Sequence, residues 1–135
     1  MTQVFNRDCM EAMKEFPDKF FELAIVDPPY GVGDFAQEPR TNKPFNRDWE
    51  IKWNNEIPTH DYFNELIRVS KNQIIWGENY YKKYVTYPGT IVWDKGNNSG
   101  VGSSAELATT NLFVRVVMYY EKWTGFVNSE NAKGF

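Results

Sequence analysis

The chain holds one cysteine and one histidine in 135 residues. Cys9 alone excludes an internal disulfide and any zinc site built from several thiolates. His60 adds too little to assemble a metal centre, so no metal is expected, and His60 reads as a polar residue in the first turn of a helix. No apolar run approaches the roughly 20 residues that span a bilayer. Met1 to Met10 is polar rather than a basic stretch followed by an apolar one, so no secretory leader is expected and the chain reads as soluble and cytoplasmic. Net positive charge is missing as well. At −3, no whole-protein field draws the chain to nucleic acid, and any DNA contact has to come from a local patch. Low-complexity tracts and internal repeats are absent, which argues against disorder and against a solenoid.

What is present is globular. The composition is 41% hydrophobic and 24% charged, at a length that suits one domain and leaves no room for a separate recognition domain. Aromatic residues reach 17%, with five Trp and eight Tyr. That content suits stacking on bases, and it equally suits an aromatic-rich core; composition leaves both readings open.

Along the chain, Asp8 to Phe16 reads as a short helix: Asp8 can cap it, Met10, Met13 and Phe16 recur at helical spacing, and Pro17 follows. Phe20 to Val26 is a nearly unbroken apolar run, the pattern of a strand covered on both faces in a parallel sheet. It stops at Asp27-Pro28-Pro29, where two prolines force the chain out of the ladder at the carboxyl end of the strand. Open α/β sheets bind ligands at that edge. Gly31 to Pro58 has no sustained period and reads as a long loop; inside it, Arg40, Lys43 and Arg47 stand without an acidic neighbour between Pro39 and Arg47. They are either a solvated loop or a phosphate contact. Thr59 caps a helix striped by Tyr62, Phe63, Leu66, Ile67 and Val69. Gln73 to Trp76 reads as a second strand ended by Gly77, Asn79 to Val85 as a short helix, Thr90 to Trp93 as a third strand and Phe113 to Tyr120 as a fourth. Strands alternating with helices predict an α/β domain.

The chemistry sits in Asp27-Pro28-Pro29-Tyr30. An aromatic amino group is a poor nucleophile because its lone pair is delocalised into the ring. The Asp27 carboxylate and the Pro28 carbonyl could each accept one of its N–H bonds, drawing the nitrogen toward a tetrahedral geometry and aiming the lone pair in line at a methyl sulfonium. Tyr30 would stack on a base flipped out of its duplex. The amine turns cationic as it is methylated, and a nearby carboxylate stabilises that charge. The plainer reading makes Asp27 the cap of a turn before the prolines.

These four residues resemble the catalytic motif of the amino-directed DNA methyltransferase family, (Asp/Asn/Ser)-Pro-Pro-(Tyr/Phe/Trp), in the arrangement where that motif comes first in the chain. Arg7 to Met13 resembles the family's short acidic motif before the catalytic strand, which implies that Asp8, with Cys9, meets the adenine of the cofactor. Tyr62 to Lys71, then Ile74 to Gly77 and Asn79-Tyr80, resemble the next helix and strand; Val92 to Lys95 and Ala105 to Ala108 resemble later elements common in phage and prophage members. The likeness runs from Asn6 to about Trp123. It implies a Rossmann-like fold, S-adenosylmethionine as cofactor, double-stranded DNA as partner, and adenine-N6 rather than cytosine-N4 as target, since Asp leads the motif. Asp27 and Trp76 join Asp8 and Cys9 as expected cofactor contacts, although Trp76 and Tyr80 read equally as core residues, and Asp8 equally as a plain helix cap. Glu78 departs from the Gly common at its position in the family.

The family's later His-Pro-Thr-Gln-Lys-Pro segment and Phe-x-Gly-x-Gly strand end are not found, and Gly31-Val32-Gly33 and Gly100-Val101-Gly102 do not replace them. The resemblance therefore implies a single partial catalytic domain over residues 1–135, truncated at its C-terminal side. An apolar strand left at the edge of such a partial sheet would favour self-association or pairing with a complementing chain. Two other functions stay open: a non-catalytic remnant or nucleic-acid-binding module, and the same chemistry on RNA or protein.

Overall fold

The computed structural model describes residues 2–31, 56–96 and 103–122. Arg40, Lys43 and Arg47, most of the Gly31 to Pro58 loop and Gly100 to Gly102 lie outside the described residues. The elements run in the order α1 (Cys9–Met13), β1 (Phe21–Val26), α2 (His60–Val69), β2 (Ser70–Trp76), α3 (Glu78–Tyr81), β3 (Gly89–Asp94), β4 (Ala105–Thr110) and β5 (Val116–Tyr120). Among the described residues no helix is long and apolar enough to cross a membrane.

The strands form one five-stranded mixed sheet ordered β1-β2-β4-β3-β5. β1 is parallel to β2 and β3 is parallel to β5, while β4 runs antiparallel to both β2 and β3 between them. Four strands therefore share one direction, and the carboxyl ends of β1, β2, β3 and β5 meet at one edge. The chain is an α/β protein. The strand β4 was not expected: its first four residues, Ala105-Glu106-Leu107-Ala108, have none of the β-branched or aromatic enrichment that marks strands, which only Thr109 and Thr110 supply, and pairing on both sides holds it in the sheet.

Two further expectations need correction. Among the described residues the strand over Phe21–Val26 is not covered on both faces, since Leu23 and Ile25 are 41% and 63% exposed, and it stands at the sheet edge, paired with β2. An unbroken apolar run shows that both faces could be covered, not that both are. The first helix ends at Met13 rather than Phe16: past it the Glu15 and Phe16 amides donate only three residues back, to the Ala12 and Met13 carbonyls at 3.2 and 3.1 Å, and the Arg68 guanidinium donates to the Met13 and Phe16 carbonyls at 2.9 and 3.0 Å.

The helices lie on one face. Phe63, Leu66 and Val69 from α2 pack with Ile75 of β2, Tyr81 of α3 and Met13 of α1. Aromatic rings meet here: the Phe63 ring lies 5.1 to 5.4 Å from those of Tyr62, Tyr81 and Tyr84. Polar groups in this layer are paired. Gln73 Nε2 donates to the Ser70 carbonyl and to Ser70 Oγ, both at 2.9 Å, and Tyr87 donates to Gln73 Oε1 at 2.6 Å. The carboxyl end of α2 is closed by Lys19, whose ammonium donates to the Ile67 and Ser70 carbonyls and whose amide donates to that of Arg68. These ties join the carboxyl end of α2 to the chain entering β1, and at the opposite end of the layer the amino ends of α1 and α2 lie beside the carboxyl end of β1.

Candidate functional site

At that junction a cavity of about 510 Å³ opens between α1, α2 and the end of β1. Cys9 and Met10 enter from α1, Asp27 and Pro28 from the chain leaving β1, and Thr59 and Tyr62 from α2. The lining is mostly apolar with a few polar groups, the usual make-up of a small-molecule site, and the volume is in the usual range of about 300 to 1,000 Å³. A second cavity of about 440 Å³ is lined by Tyr30, Gly31, Glu56, Ile57 and Tyr80. Asp27 to Pro29 line the first hollow and Tyr30 and Gly31 the second, so the motif runs from one into the other.

Each motif residue is held by a specific partner. Asp27 is exposed and accepts a short hydrogen bond from the Tyr30 hydroxyl. An ionised carboxylate offers about four lone-pair sites, so one donor does not exhaust it. The Tyr30 ring stacks on Tyr80, centroids 4.7 Å apart and planes 10° from parallel. Gly77 makes this possible. It is left-handed (φ +83°), and a Cβ there would collide with the Tyr30 ring and lie 2.9 Å from Cε2 of Tyr81. Tyr81, with no exposed surface, donates to the Pro28 carbonyl at 2.6 Å and to the Pro29 carbonyl at 2.7 Å.

The tyrosines are firmly protonated. Burial, then the hydrogen bond to Asp27, raises the Tyr30 hydroxyl well above its ordinary range, and burial, then the Asp27 charge, does the same for Tyr81. Burial, followed by the nearby Cys9, pushes Tyr62 up to about 12. All three are neutral donors at neutral pH. The arrangement thus offers a carboxylate and two proline carbonyls as acceptors, ringed by hydroxyl donors and flat aromatic faces. Among the described residues no group of three or more His, Cys, Asp or Glu side chains stands close enough to hold a metal ion.

The structure brings together Asp27, Pro28, Pro29, Tyr30 and Cys9. Asp8 adjoins Cys9 and caps α1, its Oδ1 accepting from the Glu11 amide at 3.0 Å. Trp76 does not join them. Residues alternate across β2, so Ile75 faces the helices while Ile74 and Trp76 turn to the opposite face. There Trp76 meets Trp93 edge-on at 6.5 Å and lines a separate apolar hollow with Ile25 and Ile91. Sequence reasoning missed Tyr81, which stands 53 residues from Pro28 and whose hydroxyl signals nothing until the fold brings the two together. It also took Tyr62 as part of a core stripe only. No protein-family model matches the chain, and no curated protein matches it.

Proposed function

We propose that the chain is a Rossmann-like, S-adenosylmethionine-dependent methyltransferase domain acting on the exocyclic amine of a flipped base in double-stranded DNA, with adenine-N6 as the favoured target. The observation that carries this reading is the Asp27-Pro28-Pro29-Tyr30 motif at the carboxyl end of β1, joining one hollow to a second. A transfer between two bound molecules needs two adjacent sites with the activating groups between them. The five-stranded mixed sheet is compatible with a Rossmann-like fold, whose ligands bind at this edge.

Cofactor and base divide between the hollows. The larger one suits the cofactor, with Cys9, Met10, Thr59 and Tyr62 to hold it and Asp8 beside them on α1. When bound, S-adenosylmethionine supplies an electrophilic methyl on a sulfonium. The Tyr30 to Tyr80 cavity suits the base, Tyr30 providing a flat face and Glu56 an acceptor at the wall. Asp27 would exchange the Tyr30 hydroxyl for one amine N–H, and the Pro28 carbonyl would take the other. Asp27 would face the amine as methylation turns it cationic and stabilise that charge until the extra proton passes to water.

The rival reading, a base-binding module without catalysis, draws on a specific observation: both acceptors already carry internal donors, Tyr30 on Asp27 and Tyr81 on Pro28. Calorimetry with S-adenosylmethionine separates the two, since micromolar binding supports the enzyme and no binding supports the module. Transfer of tritiated methyl offered to DNA, RNA and peptide identifies the substrate. Label in DNA is expected; label only in RNA or peptide overturns the DNA assignment.

A further inference from the structure

The dipeptide Pro28-Pro29 poses a problem that the rest of the chain must solve. β1 ends at Val26, and neither proline has an N–H through which the backbone could be tied down. Only the two carbonyls can serve as handles. A buried carbonyl with no donor is costly, so something has to reach both.

Tyr81 does. Its ring has no exposed surface and lies 5.2 Å from Phe63 and 6.1 Å from Tyr30. Gly77, one turn earlier, leaves the space that the Tyr30 and Tyr81 rings fill. The hydroxyl has one proton and two acceptors at nearly equal distance, 2.6 and 2.7 Å. Burial, and then the Asp27 charge, keeps it protonated, so it stays a donor. A carbonyl oxygen can accept twice, and a hydroxyl shared between two oxygens can lean to either without losing its bond.

We propose that Tyr81 is a positioning residue: its shared hydroxyl fixes the orientation of the Pro28-Pro29 carbonyls, and it shifts onto Pro29 when a substrate amino group takes the Pro28 oxygen. The inference rests on the methyltransferase reading for the identity of that amine. It goes beyond that reading by giving a residue outside the motif control over one of the two acceptors.

The test uses the full chain as wild type, Tyr81→Phe and Tyr87→Phe, each measured for kcat and KM and by ¹³C NMR with labelled proline carbonyls. Tyr81→Phe keeps the ring and removes only the hydroxyl. Tyr87→Phe is the structural control, since it removes a hydroxyl that donates to Gln73 in the same layer. We expect Tyr81→Phe to move the Pro28 and Pro29 carbonyl resonances and to lower kcat about tenfold to a hundredfold while KM stays within about twofold, with Tyr87→Phe leaving kcat unchanged. Unmoved proline carbonyls, an unchanged kcat, or an equal kcat loss in Tyr87→Phe overturns the proposal. If wild type transfers no methyl group, the proposed function fails, and adenosine titration then decides the positioning claim. A Pro28 carbonyl that responds in wild type and not in Tyr81→Phe upholds it; the same response in both, or in neither, overturns it.

Discussion

On one face of the sheet, Val26 and Ile75 lie under α1 and α2 beside Phe63 and Tyr81; on the other, Ile25, Ile74, Trp76 and Trp93 carry no helix among the described residues. Both faces carry apolar residues. What separates them is closure. The covered face buries its aromatics and pairs its Ser70, Gln73 and Tyr87 polar groups, and the motif emerges at its carboxyl edge. The other face ends in a shallow hollow of about 390 Å³ with Ile25 largely exposed. Rigid packing therefore backs the motif from one side, which is what a site needs if its acceptors are to hold their positions.

The sharpest way to break this comparison is a matched pair of truncations. Phe63→Ala, at a residue 1% exposed, is expected to cost about 3–5 kcal/mol in urea unfolding, whereas Ile25→Ala on the open face is expected to cost about 0.5 kcal/mol. Equal losses would mean that the second face is also closed. Next comes Gly77→Ala, which strains a left-handed residue and drives a methyl into the Tyr30 ring; a loss of about 1–3 kcal/mol is expected, together with altered tyrosine fluorescence from the disturbed Tyr30–Tyr80 stack. Tyr87→Phe leaves Gln73 Oε1 without its donor inside the covered layer and is expected to cost about 1 kcal/mol by the same melts. The open face has its own test. Exposed apolar surface beside an edge strand is expected to drive association as concentration rises, and Ile25→Lys is expected to abolish it in light scattering; a monomer at every concentration in the wild type would show that this surface draws no partner.

The smallest expected effect is electrostatic. Arg68 holds the Glu65 carboxyl below its ordinary range through its hydrogen bonds. A carboxyl lowered on folding stabilises the native state above the unfolded pKa and loses that contribution as the pH falls through the folded one. Wild type should therefore lose slightly more stability than Glu65→Gln on acidification through the carboxylate range, a difference visible in paired thermal melts.

Much of the site was legible because its signals are local. Two prolines after an apolar run end a strand wherever they occur, Asp8 has the spacing of a cap, and Tyr62, Phe63, Leu66 and Val69 fall on one helical stripe. What escaped depends on partners distant in the chain. β4 is a strand through its neighbours more than through its own first four residues. The side of the sheet on which Trp76 falls is a matter of parity, since one residue of register decides which hollow it lines. The role of Tyr81 exists only once α3 folds back on β1.

The central claim is that Asp27 activates an amine at the carboxyl edge of the covered face. It is tested most directly by the initial rate of tritiated methyl transfer into duplex DNA, with wild type and Asp27→Ala assayed together and thermal melts confirming that both are folded. Asp27 is exposed, so the variant should melt with the wild type while its rate falls by about a hundredfold or more. Equal rates in the two folded proteins, or no transfer by the wild type, would contradict the account.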